Sequence, residues 1–573
     1  MRTLIVTSLL ALALVAPGCK EPDPNKFETH LELIQDSAKR AQGFSGLERL
    51  TKTVVSARDN DDLLEEFATK VIPVFEGIWD EATEQQENML TLLRDVGRPE
   101  AATLWSKAIE LDGSSDARKK TILALNGIKK AKAKAAAPAV IEGLDKLVGK
   151  PSLDDSEQDP GELRVLMAET LGILRDPAAV PVLIKVMEQP ADKQPVGVHR
   201  AAAEALGKIG DPSAVDALLT VQYRVPDAPT TTNIGERVKV ALVAIGEPAV
   251  PKVMQMLRGE HAEVQKLAAT HGVEQPNIQM SAIQILGAMR AASVVDDLIA
   301  LFPQDDCKAS APQPKKGKKG KKKAAAAEEE SEPDDSAATM RAVVANALGM
   351  IGDPKAAGAL CGCLGATRNP GDTFPIMEAL GRIGGDQAVS CLTGYVKTAE
   401  YDSEVVEKDF VFEPRWEAAR FATLAATPEQ LGQVKTAIAS NRNPKVVEEM
   451  AKWEDGIAVG EKCGSDKGCY LTTLKDANAD WFAREKAAFE VARLAPGDLE
   501  AAKEIANAFK TRSPDARVSM AWLTGKVADG KPCPECIVAF DSVLDAEKMS
   551  MDASYQLSVL MVRYTIPKLT PKE

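Results

Sequence analysis

One phrase recurs along this chain with small changes: TLGILRDPAAV, ALGKIGDPSAV, ALVAIGEPAV, ILGAMRAASVV, ALGMIGDPKAA and ALGRIGGDQAV. Its reference leucines, Leu171, Leu206, Leu242, Leu286, Leu348 and Leu380, lie 32 to 44 residues apart, apart from one gap of 62 that holds an insert. A period in this range marks stacked helical repeats, in which no unit buries its own apolar face and each neighbour supplies part of the core. The expected fold is therefore all-α, an α-solenoid of helical hairpins.

Each copy reads as the junction inside a hairpin. Leu206 and Ile209 close the apolar face of a first helix, and Gly210, Gly246 and Gly352 follow where a left-handed cap carries no Cβ penalty. Asp176, Asp211 and Asp353 are placed to accept from orphan N–H groups of the next helix. Pro177, Pro212 and Pro354 then stand at its first position, where a missing N–H costs nothing. Second helices show apolar residues at helical spacing, as in Val180, Leu183, Ile184, Met187 and in Val250, Val253, Met254, Leu257. Gly172, Gly207, Gly287, Gly349 and Gly381 sit inside first helices, where glycine costs roughly 1 kcal/mol against alanine. Close helix packing is the reason expected for them.

The A-L-G-x-I-G-D-P-x-A-V phrase resembles the HEAT repeat, in particular its bilin-lyase-like variety, most specifically over about 160–400. Arg175 and Arg290 depart from it by replacing the cap glycine, and Ala291 stands where the capping Asp belongs. The resemblance implies an α-solenoid that binds other macromolecules, and it carries no catalytic residue across.

The N-terminus gives an address. Arg2, an apolar stretch from Leu4 to Val15 and the small residues after it read as a secretory signal over 1–18. The run Val15-Ala16-Pro17-Gly18-Cys19 resembles a bacterial lipobox in its Gly-Cys ending, so Cys19 is the expected lipidation site and mature N-terminus. Lys20, in place of an aspartate, favours the outer membrane, facing the periplasm. Residues 19–27 then form a tether. The array occupies 28–303, resumes over 338–460 after a charged insert at 304–337, and ends in helical repeats over 461–573.

Setting Cys19 aside leaves eight of nine cysteines, an even number in a compartment where disulfides persist. Cys463 and Cys469 flank a short glycine-bearing loop suited to a loop-closing bridge. Cys533 and Cys536 form a C-x-x-C at a helix start, which reads as a structural bridge, with a redox pair or a metal site as the other readings. Aligning the repeats puts Cys361 at an apolar core position and sets Cys363 and Cys391 one turn apart on adjacent second helices, which makes them candidates for a bridge stapling two repeats; the connectivity of Cys307, Cys361, Cys363 and Cys391 stays open at this point.

The insert residues 308–337 hold a basic block, Lys315, Lys316, Lys318, Lys319, Lys321, Lys322 and Lys323, then an acidic block from Glu328 to Asp335. With no large apolar residue to bury, this segment reads as a disordered solvated loop. Its lysines are also candidates for electrostatic contact with an anionic envelope polymer. At the ends, Trp79 and Trp105 are expected in the packing of the first repeats, and Tyr555 to Tyr564 is expected to close the far end.

Function follows mostly by elimination. A net charge of −14 argues against a nucleic-acid partner. The four histidines precede Leu, Arg, Ala and Gly, so the paired His-Glu dipeptides of a metal hydroxylase are missing, and no hydrolase or phosphate-binding motif appears. No catalytic residue, metal or cofactor is expected. The reading is a membrane-anchored, extracytoplasmic, non-catalytic scaffold for a protein partner. The alternatives are a thiol redox protein using Cys533 and Cys536, or an envelope-polymer tether using the lysine-rich insert.

Overall fold

The computed structural model describes residues 23–571 apart from 57–59, 151–159, 192, 226–233, 304–306, 308–335, 365–369, 399–413, 442–446, 449, 512 and 548–552. Cys19 and the insert lysines lie outside the described residues. Among the described residues the regular structure is helical, without strands. The chain divides into two compact units, one of residues up to 148 together with 152–179, the other of 149–151 and 180–573.

In the first unit, helices α1 (Arg40–Ser56), α2 (Gln86–Val96), α3 (Ser115–Ala131) and α4 (Pro160–Leu174) pack side by side in chain order. Trp79 and Trp105 are both buried, as expected. Trp105 lies against Gly127 of α3 so tightly that a Cβ there would meet its ring at 2.6 Å.

The second unit continues the pattern with first helices α5 (Val196–Ile209), α6 (Ile234–Ile245), α7 (Gln275–Met289), α8 (Ser336–Ile351), α9 (Pro370–Ile383) and α10 (Pro414–Ala425). It ends with α11 (Trp481–Leu494), α12 (Pro514–Ala528) and α13 (Ala553–Leu569). The junction works as the phrase dictates. Gly210 and Gly352 adopt φ of 78° and 76°, and the Asp211 and Asp353 carboxylates accept from the amides two residues on at 2.8 and 2.9 Å. One detail differs from expectation: Pro212 and Pro354 open a 3₁₀ turn of three residues, and the α-helix proper begins after it. The tighter turn reorients the chain between antiparallel helices.

The glycine inside each first helix has a specific counterpart. A Cβ on Gly207 would fall 2.7 Å from the Cα of Ala241, one on Gly287 2.7 Å from that of Ala347, and one on Gly349 2.7 Å from that of Ala379. Each of these alanines directly precedes a reference leucine. The Ala-Leu-Gly of the phrase is thus a chain of backbone contacts, with the glycine of one repeat receiving the alanine of the next. The link breaks at two places: Gly381 receives the Phe421 side chain in place of an alanine, and α6 lacks the glycine. Val243 stands where α6 should carry glycine, and α6 packs less extensively on α7 than α5 does on α6.

What closes beside that break is the C-terminus. First helices pack in sequence from α6 to α13, and α13 returns to pack on α6. The Tyr564 hydroxyl donates to Glu236 at 2.9 Å, across 328 residues of sequence. The expectation that Tyr555 to Tyr564 closes a far end is therefore corrected. Helix α13 docks in the middle of the array, where it supplies part of the cover for α12, which is buried on every side through its central turns. Every residue from Val518 to Gly525 is buried.

Candidate functional site

The C-terminal ends of α6, α7, α8, α12 and α13 converge around Trp522, which is 1% exposed. Its indole N–H donates to the Met350 carbonyl at 3.1 Å, at the end of α8. Its own carbonyl accepts from the Arg290 guanidinium at 2.6 Å. The Lys568 ammonium donates to the Ala288 carbonyl at 2.9 Å, in the last turn of α7. Helix C-termini leave such carbonyls without intrahelical partners and carry partial negative charge, so cations belong there.

Arg290 explains its own departure from the repeat. It occupies the cap position in a left-handed conformation, φ 57°, that a glycine adopts at lower cost. In exchange its guanidinium carbon sits 5.4 Å from the Trp522 ring centroid, with Arg382 at 5.6 Å and the Lys526 ammonium at 4.8 Å. Each such contact contributes about 0.5–2 kcal/mol. Arg175, the other departure, is likewise left-handed at φ 52°.

Beside Trp522 is a cavity of about 380 Å³, with Arg290, Lys526 and Lys568 among its lining residues. Burial, with the Arg382 charge nearby, brings the Arg290 guanidinium down to about 9. Burial and Arg290 push Lys568 well below the usual lysine range. Lys526 is lowered in the same direction by the same two causes, although its side chain keeps an exposed edge at the cavity mouth, where water screens much of the effect.

Further around the ring the buried charges are paired. Arg420 donates to both oxygens of Glu485 at 2.9 and 3.1 Å, and Ser519 of α12 donates to the same carboxylate at 2.7 Å. Burial opposes the Arg420 charge, but the carboxylates of Glu485, Glu417 and Asp515 outweigh it and hold its pKa above the ordinary value. Lys486 bonds the Ala426 carbonyl at 2.6 Å and Glu490 at 2.7 Å, while its burial still draws its pKa down.

The cysteines pair completely among the described residues. Cys463 is bonded to Cys469, with Cα atoms 5.4 Å apart, and Cys533 to Cys536, with Cα atoms 5.3 Å apart. Cys533 and Cys536 are 2% and 0% exposed, and the Cys533 amide donates to the Leu569 carbonyl at 2.8 Å. This ties the start of the helix Pro534–Glu547 to the end of α13. The candidate bridge between Cys363 and Cys391 does not form: Cys363 pairs with Cys307, and Cys391 with Cys361. Two residues apart on one helix means nearly opposite faces. Cys363 turns inward at 0% exposure toward Cys307, and the less buried Cys361 faces the next second helix. The core position is thus that of Cys363 rather than Cys361.

The first unit has an open groove of about 530 Å³ between α1 and α2, with Lys130 of α3 at its edge. Phe44 and Leu92 line its floor. The Thr51 hydroxyl, on a residue 2% exposed, also lines it and finds no partner among the described residues. Among the described residues no cluster of three or more His, Cys, Asp or Glu is placed to hold a metal, and no single helix is long and apolar enough to cross a membrane. The sequence missed Trp522, Lys526 and Lys568. The available signals were Val243 and Arg290, two breaks of the phrase in adjacent copies.

The family model for HEAT repeats matches residues 150–229. No curated protein matches the chain in sequence. Among solved structures, the chain is similar to the complex of CpcE and CpcF of phycocyanin lyase from Nostoc sp. PCC7120, at 22% identity over 51% of this chain and 92% of that one, with a TM-score of 0.23. It is also similar to importin beta, at 13% identity over 95% and 74% of the two chains, with a TM-score of 0.35. A third is Kap95p, described as binding RanGDP, at 10% identity over 95% and 81%, with a TM-score of 0.39. The match and the helical hairpins agree: residues 150–229 match HEAT repeats, and the described residues stack as hairpins in an α-solenoid fold.

Proposed function

We propose that this protein is a non-catalytic scaffold, tethered to the bacterial envelope by a lipid on Cys19 and facing the periplasm, that holds a protein partner in the groove of its first unit. The observation that carries the reading is that groove. It has an apolar floor at Phe44 and Leu92, an unpartnered Thr51 hydroxyl, and a rim of both charge signs from Glu48, Lys52 and Asp95. This composition suits an amphipathic helix or an extended segment of another protein. The complete pairing of eight cysteines supports an oxidising compartment.

The test is proximity labelling from the full chain in its native cell, with two variants beside it. Asn88→Arg fills the groove mouth from an exposed position. It is expected to lose the labelled partner while keeping its melting temperature. Cys19→Ala is expected to lose membrane association and retain partner binding in solution. An unchanged labelling pattern in Asn88→Arg would refute the groove, and an unchanged membrane fraction in Cys19→Ala would refute the anchor.

A further inference from the structure

The cavity beside Trp522 is out of electrostatic balance. Three cations line it, Arg290, Lys526 and Lys568, and Arg382 lies 5.6 Å from the centroid of the same indole without lining the cavity. Arg382 has its own carboxylate, Glu378 at 2.7 Å. The three lining cations make no ion pair among the described residues, and Asp529 is the one carboxylate in the lining. Their recorded partners are neutral: the Trp522 and Ala288 carbonyls and the face of the indole. The Arg290 Nε is buried without a partner.

Helix C-termini account for part of this arrangement. Each supplies about half a negative charge, and the effect fades within one turn. The carbonyls of Ala288 and Met350, at the ends of α7 and α8, are already used by Lys568 and Trp522. Unlike the cations around α11, which meet Glu485 and Glu490, those lining this cavity have no bonded counter-charge. Arg382, Arg420 and Lys486, buried in the same unit, each meet a carboxylate, which offsets the cost of desolvation. Here the missing partner has a space of about 380 Å³ beside it, open at the Lys526 edge.

We infer that this cavity binds a small, multiply charged oxyanion, held by the Arg290 guanidinium and the Lys526 ammonium against the Trp522 ring. The volume corresponds to about a dozen water molecules, room for a phosphate ester or a di- or tricarboxylate but not for a polymer. Arg290 offers planar donors and Lys526 a mobile point charge at the entrance. Because an anion here would bridge α7 and α12, its binding would also strengthen the closure of the ring.

The experiment is titration calorimetry on the full chain with two probes, pyrophosphate for phosphate chemistry and citrate for carboxylate chemistry, at low ionic strength. One probe is expected to bind saturably and raise the melting temperature. Lys526→Gln is the informative variant, since the side chain is exposed and makes no hydrogen bond among the described residues, so that only its contact with the Trp522 ring is lost and the fold is expected to persist. It is expected to weaken binding at least about tenfold. Lys526→Arg is expected to restore affinity to within about threefold of the parent chain. No saturable binding of either probe up to about 10 mM would overturn the inference. So would binding that Lys526→Gln leaves intact.

Discussion

Arg290 and Trp522 are 232 positions apart in sequence, yet the guanidinium of one donates to the backbone carbonyl of the other at 2.6 Å and lies over its ring. The contact joins the cap of a middle repeat to the most enclosed helix of the C-terminal repeats. Trp522→Ala is expected to destabilise the second unit by about 3–5 kcal/mol, because a large side chain is lost from a dense site and the cations lose their ring. Arg290→Gly relieves the left-handed backbone but removes the bond to Trp522. Hydrogen exchange is expected to show faster exchange in α12 and α13, with α7 itself unchanged. Uniform loss of protection, or none, would count against the contact as the closing link.

The contacts between glycine and alanine predict a contrast within one residue type. Gly349→Ala must push its new methyl into the backbone of Ala379, and a loss of about 1–3 kcal/mol is expected from overpacking. Gly432, in the helix Leu431–Ala439, has open space around its missing Cβ. Gly432→Ala is expected to gain up to about 1 kcal/mol from helix propensity. Chemical denaturation of both variants reads the difference, and equal effects would refute the packing account.

Much of this was legible in the phrase itself. Its period gave stacked hairpins, Gly210 with Asp211 and Pro212 gave the turn, and Gly207 gave close packing. The return of α13 to α6 was not legible, because local residues determine a repeat while closure depends on which distant surfaces remain uncovered. Its traces were Val243 and Arg290, and each alone looks like ordinary drift. The cysteine pairing failed for a related reason. Aligning Cys363 with its repeat position gives a place along the helix, whereas the bond depends on the face, and Cys361 and Cys363 look opposite ways.

The disulfides predict a defined peptide map. Digestion without reduction is expected to yield linked peptides joining Cys307 to Cys363 and Cys361 to Cys391. The first bridge spans 56 residues, and Cys307→Ser with Cys363→Ser is expected to cost about 3–4 kcal/mol. A peptide linking Cys363 to Cys391 would contradict the structure.

The buried ion pair around α11 predicts an asymmetry. Glu485→Ala leaves Arg420, which is 3% exposed, with only the longer contacts to Glu417 at 3.5 Å and Asp515 at 3.8 Å, and a loss of about 3 kcal/mol is expected. Removing the charge as well, in Glu485→Ala with Arg420→Met, is expected to recover a large part of that loss in a thermal melt. A double variant less stable than Glu485→Ala would show that the pair itself, rather than the stranded charge, carries the stability.

Lys568 makes stability depend on pH in a stated direction. Its folded pKa lies below that of the unfolded chain, so between the two values the unfolded state binds more protons and stability rises with pH. The slope is at most about 1.4 kcal/mol per pH unit, and the window closes near the ordinary lysine value of about 10.4. Arg290 and Lys526 face the same cavity and act in the same sense. Denaturation curves of the parent chain and Lys568→Met are expected to converge as pH rises from neutral, with the variant the flatter of the two. Parallel profiles would refute the burial of a charged amine at this site.

The most direct test of the closed ring is a photo-crosslink from Tyr564. Benzoylphenylalanine replaces a tyrosine whose hydroxyl reaches Glu236, and Leu557, exposed on the same helix, serves as the control position. Irradiation of the full chain at low concentration is expected to join α13 to peptides of α6 around Glu236, with no such product from position 557. Crosslinks confined to α12, or formed only between two copies of the chain, would contradict the closure.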